Sequence, residues 1–185
     1  QRANAKALHT PNPLAYTEYL RGRQLLQRGT PKHASDALLA LAHAVELDPQ
    51  FAAAQAQLAR AQMSAADYAD TAQAMAAQHQ AALASIERSI AIDPQLADGY
   101  VVRANLRTSV TWEWNGARDD YERALALDPG HAHALQGYSS LLASLGRLPD
   151  AISMSKRVTE IDPLLPSAWQ ALGYFQEAAR DLVAA

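Results

Sequence analysis

The sequence predicts an all-α protein built from stacked antiparallel helix pairs, and three observations support this fold class. Alanine supplies 41 of the 185 residues, and it has the highest intrinsic helix propensity. Aromatic residues make up only 6%, whereas strands favour β-branched and aromatic residues, so an all-β fold is excluded. An Asp-Pro step that follows a helical pattern recurs four times. Such a repeat indicates an array of similar units that stack on one another.

The Asp-Pro steps divide the chain into units. Their prolines, Pro49, Pro94, Pro129 and Pro163, lie 45, 35 and 34 residues apart. Each step ends a helix, because proline lacks the N–H that would continue it and disfavours helical dihedrals in the residue before it. We expect a leading segment 1–12 and an array over 13–185, with units 14–49, 50–94, 95–129 and 130–163 and a partial fifth unit over 164–182. Turn and capping chemistry explains the aspartates better than catalysis does; they are Asp48, Asp93, Asp128 and Asp162.

Each unit is predicted to be a helical hairpin. Small and apolar residues at helical spacing precede the steps: Ala37, Leu41 and Ala44; Ala82, Ile86 and Ser89; Ala117, Tyr121 and Ala124; Ala151, Ser155 and Val158. A second helical pattern follows each proline: Phe51, Leu58, Ala59 and Ala61; Leu96, Tyr100 and Ala104; Leu135, Tyr138 and Ser139; Leu165, Trp169, Leu172 and Gly173. Small residues at recurring places let two antiparallel helices approach closely.

The units differ in length. The second holds about eleven extra residues within 64–80, a segment without Gly or Pro, so we predict an insertion that is helical through most of Ala72 to Ile92. The third has one extra residue beside Trp112-Glu-Trp114. The fifth, Pro166 to about Leu182, is a first helix without its partner. We therefore expect an apolar face at this end of the array.

Two motifs carry a resemblance to a known family. The turn Leu145-Gly-Arg-Leu-Pro-Asp-Ala151 and the opening Trp169-Gln-Ala-Leu-Gly173 resemble the tetratricopeptide repeat (TPR) family, over roughly residues 14–182. The resemblance implies a right-handed superhelical solenoid in which the first helix of each unit lines a concave face. The segments Asn12–Tyr16, Tyr19–Gly22 and Trp112–Ala117 are similar to TPR regions of bacterial multidomain transcriptional regulators, adenylate cyclases and Ser/Thr kinases.

The resemblance also implies which residues face a partner, with ordinary solvation as the alternative for each. Aligning the units by their prolines gives Tyr16, Tyr19 and Arg23; Arg60 and Met63; Asp98, Val101, Asn105 and Thr108; His133, Gln136 and Ser140; and Gln170, Tyr174 and Glu177. Trp112 lies outside this register and is a further contact candidate if its ring is exposed. Trp114 and Trp169 occupy places where the family puts packing aromatics, so we expect both in the core. A chaperone-tail clamp is disfavoured, because no Lys lies on this predicted face.

Composition excludes several functional classes. The net charge of −3 gives no field that favours nucleic acid, and no stretch approaches the roughly 20 apolar residues of a membrane span. No phosphate loop, dinucleotide turn, nucleophile elbow or kinase signature is present. Asp119 and Asp120 are predicted to belong to a solvated charged helix face, not to an acid–base pair. The six histidines, among them His9, His131 and His133, form no ligand motif, so we expect neither metal nor cofactor.

The sequence thus favours a non-enzymatic scaffold that binds a protein or peptide and forms the sensory or assembly part of a larger bacterial regulatory or signalling protein. One alternative is the substrate-positioning repeat domain of an enzyme such as a cyclase or transferase. Another is a homodimerisation element that acts through the C-terminal helix or the insertion. The chain begins at Gln1 without an initiator Met, so we expect a portion or processed product of a longer protein. The absence of cysteine leaves the bacterial cytoplasm and the periplasm both open as its compartment.

Overall fold

The computed structural model describes residues 10–184, with side chains described as far as Arg180. Most of the leading segment, including His9, lies outside the described residues. The described part is all-α and contains no strand. Its helices are α1 (Pro13–Leu26), α2 (Pro31–Leu47), α3 (Ala52–Asp67), α4 (Ala72–Ile92), α5 (Ala97–Leu106), a π-helical turn (Arg107–Thr111), α6 (Trp114–Leu127), α7 (Ala132–Ser144), α8 (Leu148–Ile161) and α9 (Pro166–Ala184). None of the described helices is long and apolar enough to cross a membrane.

The Asp-Pro steps end their helices as predicted. Helices α2, α4, α6 and α8 each stop at the residue before the aspartate. The aspartate Oδ1 then accepts a hydrogen bond from the backbone N–H two residues further on; the pairs are Asp48 with Gln50, Asp93 with Gln95, Asp128 with Gly130 and Asp162 with Leu164, at 2.9–3.2 Å. The capping role of the four aspartates is thereby confirmed.

The chain forms two compact units, Gln1–Leu106 and Arg107–Ala185, here called unit 1 and unit 2. In unit 1 the core contains Tyr19, Leu41, Phe51 and Leu58, and the buried Ser89 hydroxyl donates to the Ala52 carbonyl at 2.8 Å. The small residues predicted at close helix contacts are fully buried there, namely Ala37, Ala59, Ala82 and Ala104.

The insertion lengthens two helices of unit 1. Helix α3 runs to Asp67, and α4 begins at Ala72 and reaches Ile92, so the predicted helix over 72–92 is confirmed. The Thr71 hydroxyl caps α4 by accepting from the Ala74 N–H at 3.1 Å. Tyr68, in the short turn between the helices, donates its hydroxyl to the Gly29 carbonyl at 3.0 Å, which ties this turn to the α1–α2 turn.

In unit 2, α7 and α8 form the helix pair of residues 130–163, α6 packs against α7, and α9 packs against α8. Ala117, Ala124 and Ala151 are fully buried at the predicted close contacts. Tyr121 of α6 is buried and stacks with Tyr138 of α7, with ring centroids 5.7 Å apart. A further core cluster joins Leu135, Val158 and Ala168 from the three later helices; their burial holds these helices together.

Two tryptophans predicted in the core are on the surface. Trp114 is 39% exposed because it is the first residue of α6, where its ring extends beyond the buried stripe that starts at Ala117. Trp169 is 53% exposed, since the α9 stripe that packs inward consists of Ala168, Leu172 and Phe175. Its indole N–H donates to the Pro163 carbonyl at 2.9 Å, so the ring lies across the turn before α9.

Candidate partner-binding faces

Unit 1 brings together the predicted partner-facing residues of three first helices. Helix α3 contacts both α1 and α5. Helix α1 carries Tyr16 and Arg23, α3 carries Arg60, and α5 carries Asp98. We call these four side chains the unit 1 face. Tyr16 and Arg23 are exposed, while Arg60 and Asp98 are half-buried. The face therefore combines two cations, one anion and an accessible aromatic ring.

Arg60 is the electrostatic centre of this face. Burial lowers the pKa of its guanidinium, the Asp98 carboxylate raises it, and the Arg23 guanidinium lowers it again. Because a guanidinium keeps its proton in proteins, Arg60 stays charged despite this environment. Its Nη1 donates to Gln57 Oε1 at 3.2 Å on the same helix. A partly desolvated cation that is held in place is well suited to recognise an anionic or carbonyl group.

Tyr19 and Val101 do not present side chains to a partner, contrary to the prediction. Tyr19 is 2% exposed and its ring packs on Phe51 with centroids 4.9 Å apart. Burial raises the pKa of the Tyr19 hydroxyl, against a lowering by Arg23, whose guanidinium carbon lies 5.4 Å from the Tyr19 ring centroid. Val101 is 3% exposed within α5. Tyr19 thus supports Arg23 and the stacked Tyr16 ring from beneath, at 6.0 Å between the tyrosine centroids.

Three further predicted residues are half-buried. Met63 lies on α3 and Asn105 on α5, both in unit 1, and Asn105 already makes polar contacts. Thr108 belongs to unit 2, in the π-helical turn, where its hydroxyl is hydrogen-bonded to Tyr121. Thr108 therefore makes an internal contact.

In unit 2 the predicted residues lie on α7 and α9, and we call them the unit 2 face. Its members are His133, Gln136, Ser140, Gln170, Tyr174 and Glu177, all exposed except the half-buried Gln136. Gln136 Nε2 donates to Ser167 Oγ at 3.4 Å, which connects α7 with the start of α9. Tyr174 is 69% exposed, so it offers the largest accessible aromatic surface of this face.

Trp112 belongs to neither face, and its ring is 70% exposed, as required for a contact residue. It borders a surface pocket of about 530 Å³, the Trp pocket, which is lined by Trp112, Glu113, Trp114, Asn115, Gly116 and Leu145. The sequence motif Trp112-Glu-Trp114 indicated the aromatic pair. Leu145, from the turn after α7, was missed because only folding brings that turn to this place.

The prediction that Asp119 and Asp120 both lie on a solvated helix face is wrong for Asp120. Asp119 is exposed, but Asp120 is only 4% exposed and accepts a hydrogen bond from Arg107 Nη1 at 2.6 Å. The helical spacing contained the signal, because Asp120 follows the buried Ala117 by three residues and shares its side of α6. A buried carboxylate requires such a partner.

Within the part of the chain that the structure describes, no group of three His, Asp or Glu side chains is arranged to hold a metal ion. His131 instead caps α7, since its Nδ1 accepts from the Ala134 N–H at 3.2 Å. The His133 ring lies 6.3 Å from the His131 ring, between centroids.

Similarity to known proteins agrees with this architecture. Residues 113–173 match the tetratricopeptide repeat family model. No curated protein matches the sequence significantly. A solved TPR protein from Thermus thermophilus is 18% identical, covers 88% of this chain and 81% of its own, and superimposes with a TM-score of 0.75. PilF from Pseudomonas aeruginosa is 17% identical over 92% of this chain and 71% of its own, with a TM-score of 0.66.

A third structure, the first TPR of Spaghetti bound to an HSP90 peptide, is 18% identical, covers 68% of this chain and 95% of its own, and has a TM-score of 0.52. At these identities the likenesses establish the fold alone, and they confirm the predicted solenoid of helix pairs. The tetratricopeptide repeat family is thus supported for this chain by the sequence match over residues 113–173 and by the fold it shares with solved TPR proteins.

Proposed function

We propose that this chain is a non-enzymatic scaffold that binds a protein or peptide through the unit 1 face. The observation that carries the proposal is that Arg23 and Asp98 lie near the half-buried Arg60, while the exposed Tyr16 ring stacks on Tyr19 beside Arg23. Arginine and tyrosine are among the side chains most enriched at binding hot spots, and a partly desolvated arginine is partly prepared for a contact. TPR proteins are generally scaffolds, and the Spaghetti module binds an HSP90 peptide, which supports the assignment by analogy.

The test uses peptides selected from a random library on the immobilised full chain. Their affinities are then measured by calorimetry for the wild type, Arg60→Met, Arg60→Lys and Arg88→Ala. Arg60→Met keeps the aliphatic bulk but removes the charge and donors, and we expect affinity to fall by about tenfold or more, as for a hot-spot arginine. Arg60→Lys restores the charge and recovers part of the affinity.

Arg88→Ala is the control, because Arg88 is an exposed cation of the same unit that lies on α4, a second helix, and outside the unit 1 face. Its affinity should stay within about twofold of the wild type, as is usual for a residue outside the contact surface. Peptides that bind Arg60→Met as tightly as the wild type, with equal unfolding midpoints, would overturn the assignment of the unit 1 face.

We further propose that the scaffold serves a larger bacterial regulatory or signalling protein. Support comes from the likeness of Asn12–Tyr16, Tyr19–Gly22 and Trp112–Ala117 to the repeat regions of such proteins. The sequence that flanks this chain in its gene product distinguishes the regulatory proposal from its alternative. A winged-helix domain or a membrane span supports regulation, whereas a cyclase or transferase motif supports the alternative of a substrate-positioning domain.

A second candidate function is homodimerisation, and exposed apolar side chains at the end of unit 2 favour it. Leu164 is 90% exposed, Tyr174 69% and Trp169 53%. All three belong to α9 or to the turn before it, and exposed apolar side chains that form a patch are typical of interaction surfaces. Sedimentation equilibrium tests this candidate: a dimer that dissociates on Tyr174→Ser supports it, and a monomer at high micromolar concentration excludes it.

A further inference from the structure

The Trp pocket shares no residue with the faces proposed above. It lies where two turns of unit 2 meet, the turn before α6 and the turn after α7. Among the described residues that line it, two are tryptophans and only Glu113 is ionisable. The lining of the pocket therefore combines one negative charge with two exposed indole rings.

The backbone is shaped to hold the two rings in place. The π-helical turn ends at Thr111, and the Glu113 N–H then donates to the Arg107 carbonyl at 2.9 Å, which closes the turn. Between them Trp112 adopts φ = 57°, a left-handed conformation that is unfavourable for a bulky side chain. Such strain persists where surrounding contacts enforce it, and it clusters at functional sites, as π-helical turns also do.

The Arg107 side chain contacts the groups around this turn and determines the net charge beside the two rings. Its Nη1 donates to the buried Asp120 carboxylate at 2.6 Å and to the Gly116 carbonyl at 3.2 Å, while its Nε lies 3.5 Å from Glu113 Oε2. One guanidinium thus faces two carboxylates, and Asp120 makes the shorter ion pair. The local excess is one negative charge, on Glu113, whose side chain is 57% exposed.

The two rings are placed to share one cation. Their centroids are 6.5 Å apart and their planes are inclined by 55°. An ion held in the angle that the two rings form can lie within about 6 Å of both centroids, the range in which a ring attracts a cation. We propose that the Trp pocket binds an alkylammonium group, with Trp112 and Trp114 contacting the cation and its alkyl substituents and Glu113 supplying the counter-charge.

Other ligand chemistries fit this pocket less well. An anion would meet the Glu113 carboxylate, and a purely apolar chain would remove water from that carboxylate and compensate it with no contact beyond the existing 3.5 Å one with Arg107. A cation gains from both the rings and the acid. The ammonium group has two possible sources: a small quaternary ammonium compound, or a lysine side chain of a peptide.

Titrations of the full chain, followed by tryptophan fluorescence and calorimetry, test the proposal with two pairs of probes. Choline is compared with 3,3-dimethyl-1-butanol, which has the same shape but no charge. Nα-acetyl-lysine methylamide is compared with the neutral Nα-acetyl-norleucine methylamide. We expect each cation to bind at least about fivefold more tightly than its neutral analogue, and the stronger cation identifies the source.

Variants then assign the binding to this pocket. Trp112→Asn removes one ring and keeps a residue that tolerates the left-handed backbone, and Glu113→Gln removes the counter-charge. Each should weaken cation binding by about fivefold or more, whereas Trp169→Phe, at an exposed indole outside the pocket, leaves it unchanged. Neutral analogues that bind as well as the cations, no saturation at tens of millimolar, or wild-type affinity in Glu113→Gln would each overturn the proposal.

Discussion

At the scale of single residues, the surroundings decide what a charged side chain does. Asp119 and Asp120 are neighbours in the sequence, but only Asp120 is buried, because α6 turns it towards Arg107. Arg60 and Arg88 are likewise both arginines on helices of unit 1, but only Arg60 is half-buried near Asp98. The sequence shows which side chains are charged. Packing determines which of these charges lose contact with water and therefore interact strongly with neighbouring charges.

This contrast predicts unequal costs of neutralising the two aspartates. Asp120→Asn leaves Arg107, which is 28% exposed, without its closest counter-charge. We expect a loss of about 2 kcal/mol of unfolding free energy, below the range for fully buried pairs because Arg107 keeps contact with water. Asp119→Asn, at an exposed carboxyl beside Arg118, is the control and should change stability by less than about 0.5 kcal/mol. Urea unfolding measures both, and equal losses would contradict the buried ion pair.

At the scale of helices, close approach depends on residues without bulk. Helices α6 and α7 meet where Gly137 faces the buried ring of Tyr121. A Cβ atom at Gly137 would lie 2.5 Å from Tyr121 Oη and 2.8 Å from two ring carbons. The ring has little room to move, because it stacks on Tyr138 and accepts the Thr108 hydrogen bond. Gly137 therefore sets the spacing between these two helices.

Gly137→Ala is accordingly expected to destabilise the protein, by about 1–3 kcal/mol, the usual cost of overpacking. Gly173→Ala is the matched control, because Gly173 is also inside a helix but a Cβ there meets nothing within 4 Å. That change should stabilise the protein by up to about 1 kcal/mol through helix propensity. Thermal and urea unfolding of the two variants provide the comparison. Stabilisation of similar size in both variants would show that the Tyr121 ring can move away from residue 137 without loss of unfolding free energy.

At the scale of the whole molecule, buried tyrosines connect stability with pH. Burial raises the pKa of Tyr121 to about 12, and burial together with the hydrogen bond to Glu122 raises the pKa of Tyr138 to about 12. In the unfolded chain both hydroxyls ionise near their ordinary value of about 10. The folded state therefore binds these protons more tightly than the unfolded state does. Their contribution is complete below about pH 10 and is lost as the pH rises from there through about 12.

We therefore expect the unfolding free energy to fall steeply above about pH 10. Urea unfolding at a series of alkaline pH values measures the slope, and absorbance of tyrosinate identifies the ionising groups. Tyr121→Phe removes one of the tyrosines whose pKa is raised and should flatten the slope, at the cost of a constant loss of the Thr108 hydrogen bond. Tyr174→Phe, at an exposed ring, should leave the slope unchanged. A wild-type slope in Tyr121→Phe would contradict the assignment.

Features that act over a few residues could be predicted from the amino-acid sequence. The Asp-Pro steps end α2, α4, α6 and α8 where expected, because a missing N–H and an Asx hydrogen bond act within three positions. The absence of Gly and Pro predicted the helix Ala72–Ile92 in the insertion for the same reason. The burial of Ala37 and Ala117 followed from the repeat, since equivalent positions occupy equivalent contacts.

Features that depend on which distant residues meet became evident only in the folded chain. Folding buried Tyr19 against Phe51 and Asp120 against Arg107, and it joined Leu145 to the tryptophans of the Trp pocket. Helical periodicity predicts which side of a helix packs inward. It does not predict which side chain of another helix forms an ion pair with it, or where packing leaves a pocket. Burial and charge pairing depend on contacts between residues that are distant in the sequence. Only the tertiary structure therefore showed that Arg60 is partly desolvated and that a pocket forms beside Trp112 and Trp114.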